Sequence, residues 1–374
     1  MEVTVFSGAY AGRTVLVTGH TGFKGAWLSI WLQRLGARVV GYALQPPTTP
    51  SVFGSAGLTE RMEHVEGDVR DTEALAVLVR RHRPDFVFHL AAQPLVRESY
   101  VAPAETFEVN MMGTIAVLEA VRRAGHRCTV VMVSTDKCYE NREWEHGYRE
   151  NDPLGGHDPY SASKAAMEIV VSSYRNSFFP ASAEGEHGVR VASARAGNVI
   201  GGGDWSKDRI LPDAIRALAE GRPIPVRNPL SIRPWQHVLE PLSGYLWLGA
   251  RVAAEGGEAL AEGWNFGPLP SETPTVGDLA DAVVEAWGGG SWTSAASAGA
   301  PHEAGLLRLS IDKANLRLGW KPVWDFSTTV ATTVSWYRRF LAAPEDREGV
   351  FRACLDDIAA YEAAAREKGL AWTS

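Results

Sequence analysis

The run Val15-Leu16-Val17-Thr18-Gly19-His20-Thr21-Gly22-Phe23-Lys24-Gly25 constrains the fold of this chain more than any other segment. A short β-branched stretch ends in Gly19. Behind Gly25 follow Trp27, Ile30, Trp31, Leu32 and Leu35 at helical intervals, with Gly36 as a stop. Glycines at a strand-to-helix turn let the backbone bend tightly and approach a pyrophosphate, whose charge lies against the helix N-terminus. Such a pattern is weak alone, but the strand before it and the helix after it supply the context a dinucleotide-binding turn requires. Gly19, Thr21, Gly22, Phe23 and Gly25 are therefore expected at the cofactor.

From Arg13 to about Asn198 strand-like and helix-like segments alternate. A second strand covers 38–44, and a helix opens at Asp71 and stops before Pro84. Buried strands follow around 85–92 and 128–135, separated by a helix over 110–125; then come a helix over 157–176 and a strand over 188–201. This alternation predicts an α/β fold, a doubly wound parallel sheet of the Rossmann kind with right-handed crossovers. Residues 11–200 are expected to form the cofactor-binding domain. Beyond Gly201 the prolines 212, 223, 225, 229 and 234 punctuate shorter segments, so 201–374 reads mainly as a smaller substrate-binding lobe. The apolar stretch 263–268 is expected to bring the chain back to the main sheet, a return within about 231–268. The Gly- and Ser-rich stretch 286–301 reads as a flexible loop.

Net charge is -7, which argues against a nucleic-acid partner, since neutralising phosphates needs a basic face. Three cysteines without paired spacing give neither a disulfide framework nor a zinc site, so no metal is expected. The first ten residues lack a basic segment followed by an apolar run, and no apolar stretch approaches a membrane span. The expectation is a cytoplasmic enzyme with no membrane partner.

Tyr160 and Lys164 stand four apart, on one face of a helix. An ammonium beside a phenol favours the phenolate, and such a tyrosine can take a hydroxyl proton while hydride leaves the same carbon. The acid that usually reads the ribose at the end of the second strand is missing; Gly41, Tyr42, Ala43 and Leu44 stand there. NAD is the expected cofactor, with NADP left open. Asp68, with Val69, either contacts the adenine or serves as a loop cap.

Thr18-Gly19, Gly22, Gly25, Asn110, Thr135, Tyr160 and Lys164 together resemble the extended short-chain dehydrogenase/reductase family, a likeness over nearly the whole chain. The resemblance implies that Thr135 hydrogen-bonds the reacting hydroxyl, Tyr160 is the base, and Lys164 holds the ribose and tunes Tyr160. It further implies that Asn110 supports the active-site helix and that Ala91 and Ala92 line the nicotinamide pocket. The segment 134–141, Ser-Thr-Asp-Lys-Cys-Tyr-Glu-Asn, is similar to the Ser-Thr-Asp-Glu-x-Tyr stretch of nucleotide-sugar 4,6-dehydratases. Asp136 then matches the residue that protonates the departing C6 hydroxyl, and Lys137 replaces the glutamate that takes the C5 proton. That replacement, with 19–28 and 233–246, is most similar to the CDP-glucose 4,6-dehydratases. Asn198, Arg209 and Arg233 would meet the nucleotide-sugar substrate, the arginines on its phosphates. Trp205 and Trp235 read as core rather than base-stacking residues. The family resemblance also implies a homodimer through the helices containing Asn110 and Tyr160. Three other readings stand beside it: a dehydratase acting on another nucleotide-linked hexose, a nucleotide-sugar 4-epimerase, which needs no elimination acid–base pair, and a non-catalytic dinucleotide sensor.

Overall fold

The structure, a computed structural model, describes residues 4–269, 271, 274–295 and 306–374. Its frame is built from β1 (Thr14–Thr18), β2 (Arg38–Ala43), β3 (Glu63–Glu66), β4 (Phe86–His89), β5 (Cys128–Val133) and β6 (Val189–Ala196). Shorter strands follow as β7 (Val199–Ile200), β8 (Ile224–Val226) and β9 (Gln236–His237), then β10 (Gly263–Phe266) and β11 (Trp292–Ser294). Seven strands form one sheet in the order β10-β6-β5-β4-β1-β2-β3, every pair parallel. The expected α/β doubly wound sheet is thus present, and β10 joins it by pairing Gly263 with Ser193 on β6.

The period of two along each strand divides the apolar side chains between two layers. Val15 and Val17 of β1, with Val131 and Val133 of β5, face one layer; Leu16, Val130 and Met132 face the other. The first layer is the larger because the lobe and the C-terminal helices add to it. Trp27 Nε1 donates to Gly202 O (2.9 Å), Trp247 Nε1 to Leu318 O (2.6 Å) and Trp31 Nε1 to Glu362 Oε1 (2.9 Å). Each indole thereby buries its rings and still satisfies its N–H. Trp205 packs on Tyr337 and Phe340 at 5.1 and 5.3 Å, a core placement.

Chain order reverses beside β1, whose neighbours β2 and β4 lead in opposite directions. In such sheets the crevice at the carboxyl ends of the strands, at that reversal, is where ligands bind. The expected loop over 286–301 is corrected in part. A capping box of Thr275 and Asp278 starts the helix Val276–Trp287, and β11 pairs with β8 while Trp292 Nε1 bonds Asp281 Oδ1 at 2.7 Å. The Trp292 hydrogen bond and strand pairing outweigh the glycine-rich composition there. Residues 296–305 lie outside the described residues. No described helix is long and apolar enough to cross a membrane.

A buried carboxylate clasps the lobe to the frame. Glu240, at the start of the helix Leu239–Ala253, accepts bonds from Val323 N (2.9 Å), Trp324 N (2.7 Å) and the Tyr361 hydroxyl (2.7 Å). Burial pushes its carboxyl up to about 7 despite the pull of the Trp324 amide and the Tyr361 hydroxyl. A raised carboxyl contributes stability that is fully present below its unfolded value, about 4.3, and is lost as pH rises toward 7. Glu240→Gln removes that titration. Thermal unfolding of the wild type should therefore fall more steeply than that of the variant between about pH 4 and 7; parallel curves would show that Glu240 does not titrate on folding.

Candidate active site

At the end of β1 the backbone makes a close approach. Gly19 has φ 75°, and a Cβ there would lie 2.6 Å from Ala91 N, so the ends of β1 and β4 touch through a residue without a side chain. A Cβ on Gly25 would lie 2.2 Å from Gly19 O, which closes the turn on itself. The helix Phe23–Arg34 begins at Gly22 with no side-chain cap and no acid in its first turn. By contrast Asp71, Asp158, Thr275 and Asp325 cap other long helices. An uncapped, acid-free helix start fits a bound diphosphate. Thr21 Oγ1 ties the turn to Leu44 O at 2.9 Å, just beyond β2.

Two residues of this turn escaped the sequence reading. The His20 ring is buried over Gly41, where a Cβ would lie 2.4 Å from it, and its Nε2 is 2.7 Å from His64 Nδ1. Burial, with His64 beside it, holds His20 down to about 3, so the ring is neutral. The signal was Gly41, a glycine inside a strand, which marks a close approach. Lys24 Nζ lies 3.5 Å from the Tyr245 hydroxyl; burial and then Arg209 lower it to about 8, while Asp136 opposes them. A lysine in the first turn of a helix opposes the helix dipole, and that conflict was legible.

The loop after β4 is wired to the tyrosine helix. Thr18 Oγ1 meets His89 Nδ1 at 2.7 Å and accepts from Ala91 N at 3.4 Å, at the start of the loop that carries Ala92. Asn110 lies in the widened turn Glu108–Met112, a type of helical bulge common at functional sites. Its Oδ1 accepts from Gln93 N (2.9 Å), and its Nδ2 donates to Gln93 O (3.1 Å) and Ser163 Oγ (2.9 Å). Asp68, past the edge strand β3, caps its own loop by accepting from Arg70 N at 2.9 Å and pairs with the Arg70 guanidinium. Val69 packs beneath Gly113, where a Cβ would be 2.7 Å from Val69 Cγ1.

Thr135, Asp136, Tyr160 and Lys164 are all buried at the ends of β5 and the start of the helix Pro159–Ser177. Thr135 donates to Asp136 Oδ1 (2.9 Å) and accepts from Lys137 N (3.3 Å), which sets the short turn Asp136–Cys138. Gly197 lets the end of β6 close on Asp136, since a Cβ there would be 2.9 Å from its Oδ2. Lys137 is half-buried beside them. Asp158 caps the tyrosine helix through Ser161 N at 2.9 Å.

The protein's own groups raise the Tyr160 phenol rather than lower it. Burial pushes it up to about 12, against a hydrogen bond with Thr135; Asp136 adds to the rise and Arg209 opposes it. Burial holds Lys164 down to about 8, and its Nζ donates to Val133 O at 3.4 Å. Among the protein's own groups the cation that pulls the phenol down is Arg209, and burial outweighs it. A positive ring brought beside the phenol would work in the needed direction.

On the lobe side, Arg209 pairs with the buried Asp204 at 2.6 Å, close enough to the centre to act on Tyr160 and Lys24. Asn198 O accepts from Gln236 N at 3.1 Å, and Arg233 Nη1 donates to Ile232 O at 3.0 Å. The cluster can take a proton through Tyr160, hold an oxygen through Thr135 and offer Asp136 and Lys137 as an acid–base pair.

A model of the NAD dependent epimerase/dehydratase family matches residues 15–261. CDP-glucose 4,6-dehydratase of Salmonella typhimurium is 51% identical over 89% of this chain and 92% of its own. The DesIV dTDP-glucose 4,6-dehydratase of Streptomyces venezuelae, solved as a double mutant with NAD and DAU bound, is 26% identical. It matches with a TM-score of 0.73 over 87% of this chain and 96% of that one. UDP-glucose 4-epimerase of Thermus thermophilus, solved with NAD, is 27% identical with a TM-score of 0.70 over 87% and 99%. With its glycine turn, its tyrosine and lysine on one helix and its parallel sheet, the chain belongs to the NAD dependent epimerase/dehydratase family.

Proposed function

We propose that this protein is an NAD-dependent nucleotide-sugar 4,6-dehydratase that converts CDP-glucose to CDP-4-keto-6-deoxyglucose. The observation that carries the reading is Asp136, buried between Thr135 and the end of β6 with Lys137 beside it. A 4-epimerase needs Tyr160 and Lys164 but no such pair. The 51% identity to a CDP-glucose enzyme supports both the reaction and the cytidine nucleotide.

NAD would rest on Gly19, Thr21, Gly22, Phe23, Gly25, Asp68, Val69, Ala91, Ala92 and Asn110, and would supply the acceptor for the C4 hydride that is returned at C6. Tyr160 takes the C4 hydroxyl proton while Thr135 hydrogen-bonds that oxygen; Lys164 steadies the ribose and the phenolate. Oxidation at C4 makes the C5 proton acidic. Asp136 protonates the leaving C6 hydroxyl, and Lys137 either takes the C5 proton or stabilises the developing enolate as a cation. Asn198, Arg209 and Arg233 hold the sugar nucleotide, Arg209 by exchanging Asp204 for a phosphate oxygen. In this reading residues 11–200 with the return at 231–268 bind the cofactor and 201–374 mainly the substrate. Exposed Val101, Met112 and Ile169 on the helices around Asn110 and Tyr160 support a homodimer there. Three buried, unpaired cysteines suit the reducing cytoplasm.

Tyr160→Phe should retain cofactor yet lose on the order of a hundredfold or more in turnover; wild-type rates would remove Tyr160 from the reaction. Lys137→Ala should oxidise C4 but stall before water loss. Rapid quench would then reveal 4-keto-glucose nucleotide together with the absorbance of reduced nicotinamide, and normal dehydration would send the search for the C5 base elsewhere. Glucose linked to CDP, dTDP, UDP and GDP, with products read by mass, decides the donor. Loss of water from the CDP sugar without net reduction of added NAD is expected; epimerisation without water loss would overturn the dehydratase reading.

A further inference from the structure

Behind the proposed catalytic groups lies a second set of buried charges that the reaction does not use. Tyr160, Lys164 and Glu168 follow one another at four-residue steps, so Glu168 stands on the same face one turn behind the ammonium. Glu168 is 3% exposed. Its Oε2 accepts from Arg195 Nη2 at 2.9 Å and Ser193 Oγ at 2.7 Å, both on β6. Arg195, 5% exposed, turns its other nitrogen to the Tyr139 hydroxyl (2.7 Å) and Glu150 O (3.0 Å). Tyr139 follows Lys137 by two residues and donates its hydroxyl hydrogen bond to Asn265 Oδ1 of β10 at 2.8 Å. One guanidinium thus grips both segments that carry the proposed chemistry, the turn with Asp136 and Lys137 and the helix with Tyr160 and Lys164.

A buried pair of this kind is costly to desolvate and is weak evidence of stabilisation. We infer that Glu168, held in place by Arg195, is a positioning residue: it sets a carboxylate one helical turn behind Lys164 and so keeps that ammonium charged. This rests on the reading of Tyr160 and Lys164 as the redox pair. The groups facing Lys164 are Tyr160 and Glu168 on its own helix, Cys138 after β5, His89 on β4 and Lys24 of the glycine turn, with Arg195 behind Glu168. His89 is held neutral by burial, and Lys24 is a like charge. Glu168 is therefore the nearby carboxylate that opposes the downward pull of burial on Lys164, since the Cys138 thiol is kept neutral by its own burial.

The test is the pH dependence of C4 oxidation, followed in single turnovers by the absorbance of reduced nicotinamide with CDP-glucose, in the NAD-loaded protein. Glu168→Gln keeps the shape and removes the charge, so Lys164 should lose its proton at lower pH. The alkaline limb should move down by about one pH unit, with the rate below that limb nearly unchanged. An unmoved limb, or a rate lowered equally at every pH, would overturn the inference and leave Glu168 a packing residue. Should Glu168→Gln fail to fold, Glu168→Asp serves, since it withdraws the carboxylate by one methylene; a smaller downward shift is expected, and an unmoved limb again overturns the idea. Tyr160→Phe is run alongside. If it oxidises C4 at the wild-type rate, the redox-pair reading fails and this inference with it; if it is inactive while Glu168→Gln keeps the wild-type profile, the inference alone fails.

Discussion

The contact of Gly19 with Ala91 organises this molecule. Adjacent parallel strands present their carboxyl ends side by side, but where β1 and β4 meet, the chain leaving β1 must turn across the end of its neighbour. At 2.6 Å from a backbone nitrogen a side chain has no room, so the turn stays at the sheet edge and the following helix starts directly over it. With that helix start in place, the ends of β4, β5 and β6 line one crevice. Ala91, Thr135 and Gly197 follow those strands in turn.

Burial sets the electrostatics of this crevice. Low polarity raises the Tyr160 phenol and lowers Lys24 and Lys164, so each of these groups is driven toward its neutral form. Ion pairs work the other way. Asp204 engages Arg209 at 2.6 Å and Glu168 engages Arg195 at 2.9 Å, and each pair keeps charge in places that would otherwise expel it. A centre built this way responds sharply to a bound cation or anion, because charges among buried groups are weakly screened.

The two halves of the chain share a core rather than meeting at a seam. β10 returns from the lobe to extend the sheet, Trp27 of the first helix bonds Gly202, and Trp31 bonds Glu362 near the C-terminus. Glu240 fastens the segment at Val323 and Trp324 to the helix beside β9. Lobe residues such as Arg209 are thereby held against the glycine turn, although some 180 residues of chain separate them.

Local spacing determined a good deal. The β-branched runs, the glycine turn and the alternation of strand and helix implied the parallel sheet, and Gly25, Tyr160 and Lys164 stood out because turns and helix faces depend on neighbours within a few residues. The family resemblance and the NAD expectation rested on the same short motifs. What needed the tertiary structure was every property set by groups distant in sequence. Gly41 stands where an acid was sought because the His20 ring fills that space. The Tyr160 phenol is raised because burial in the folded centre outweighs the bond from Thr135, which no four-residue spacing can reveal. Arg195 and Glu168 pair across a strand and a helix whose register the sheet alone fixes. Sequence carries short-range geometry in its periodicity; burial and pairing arise only when the sheet closes, since both depend on which surfaces lose their water.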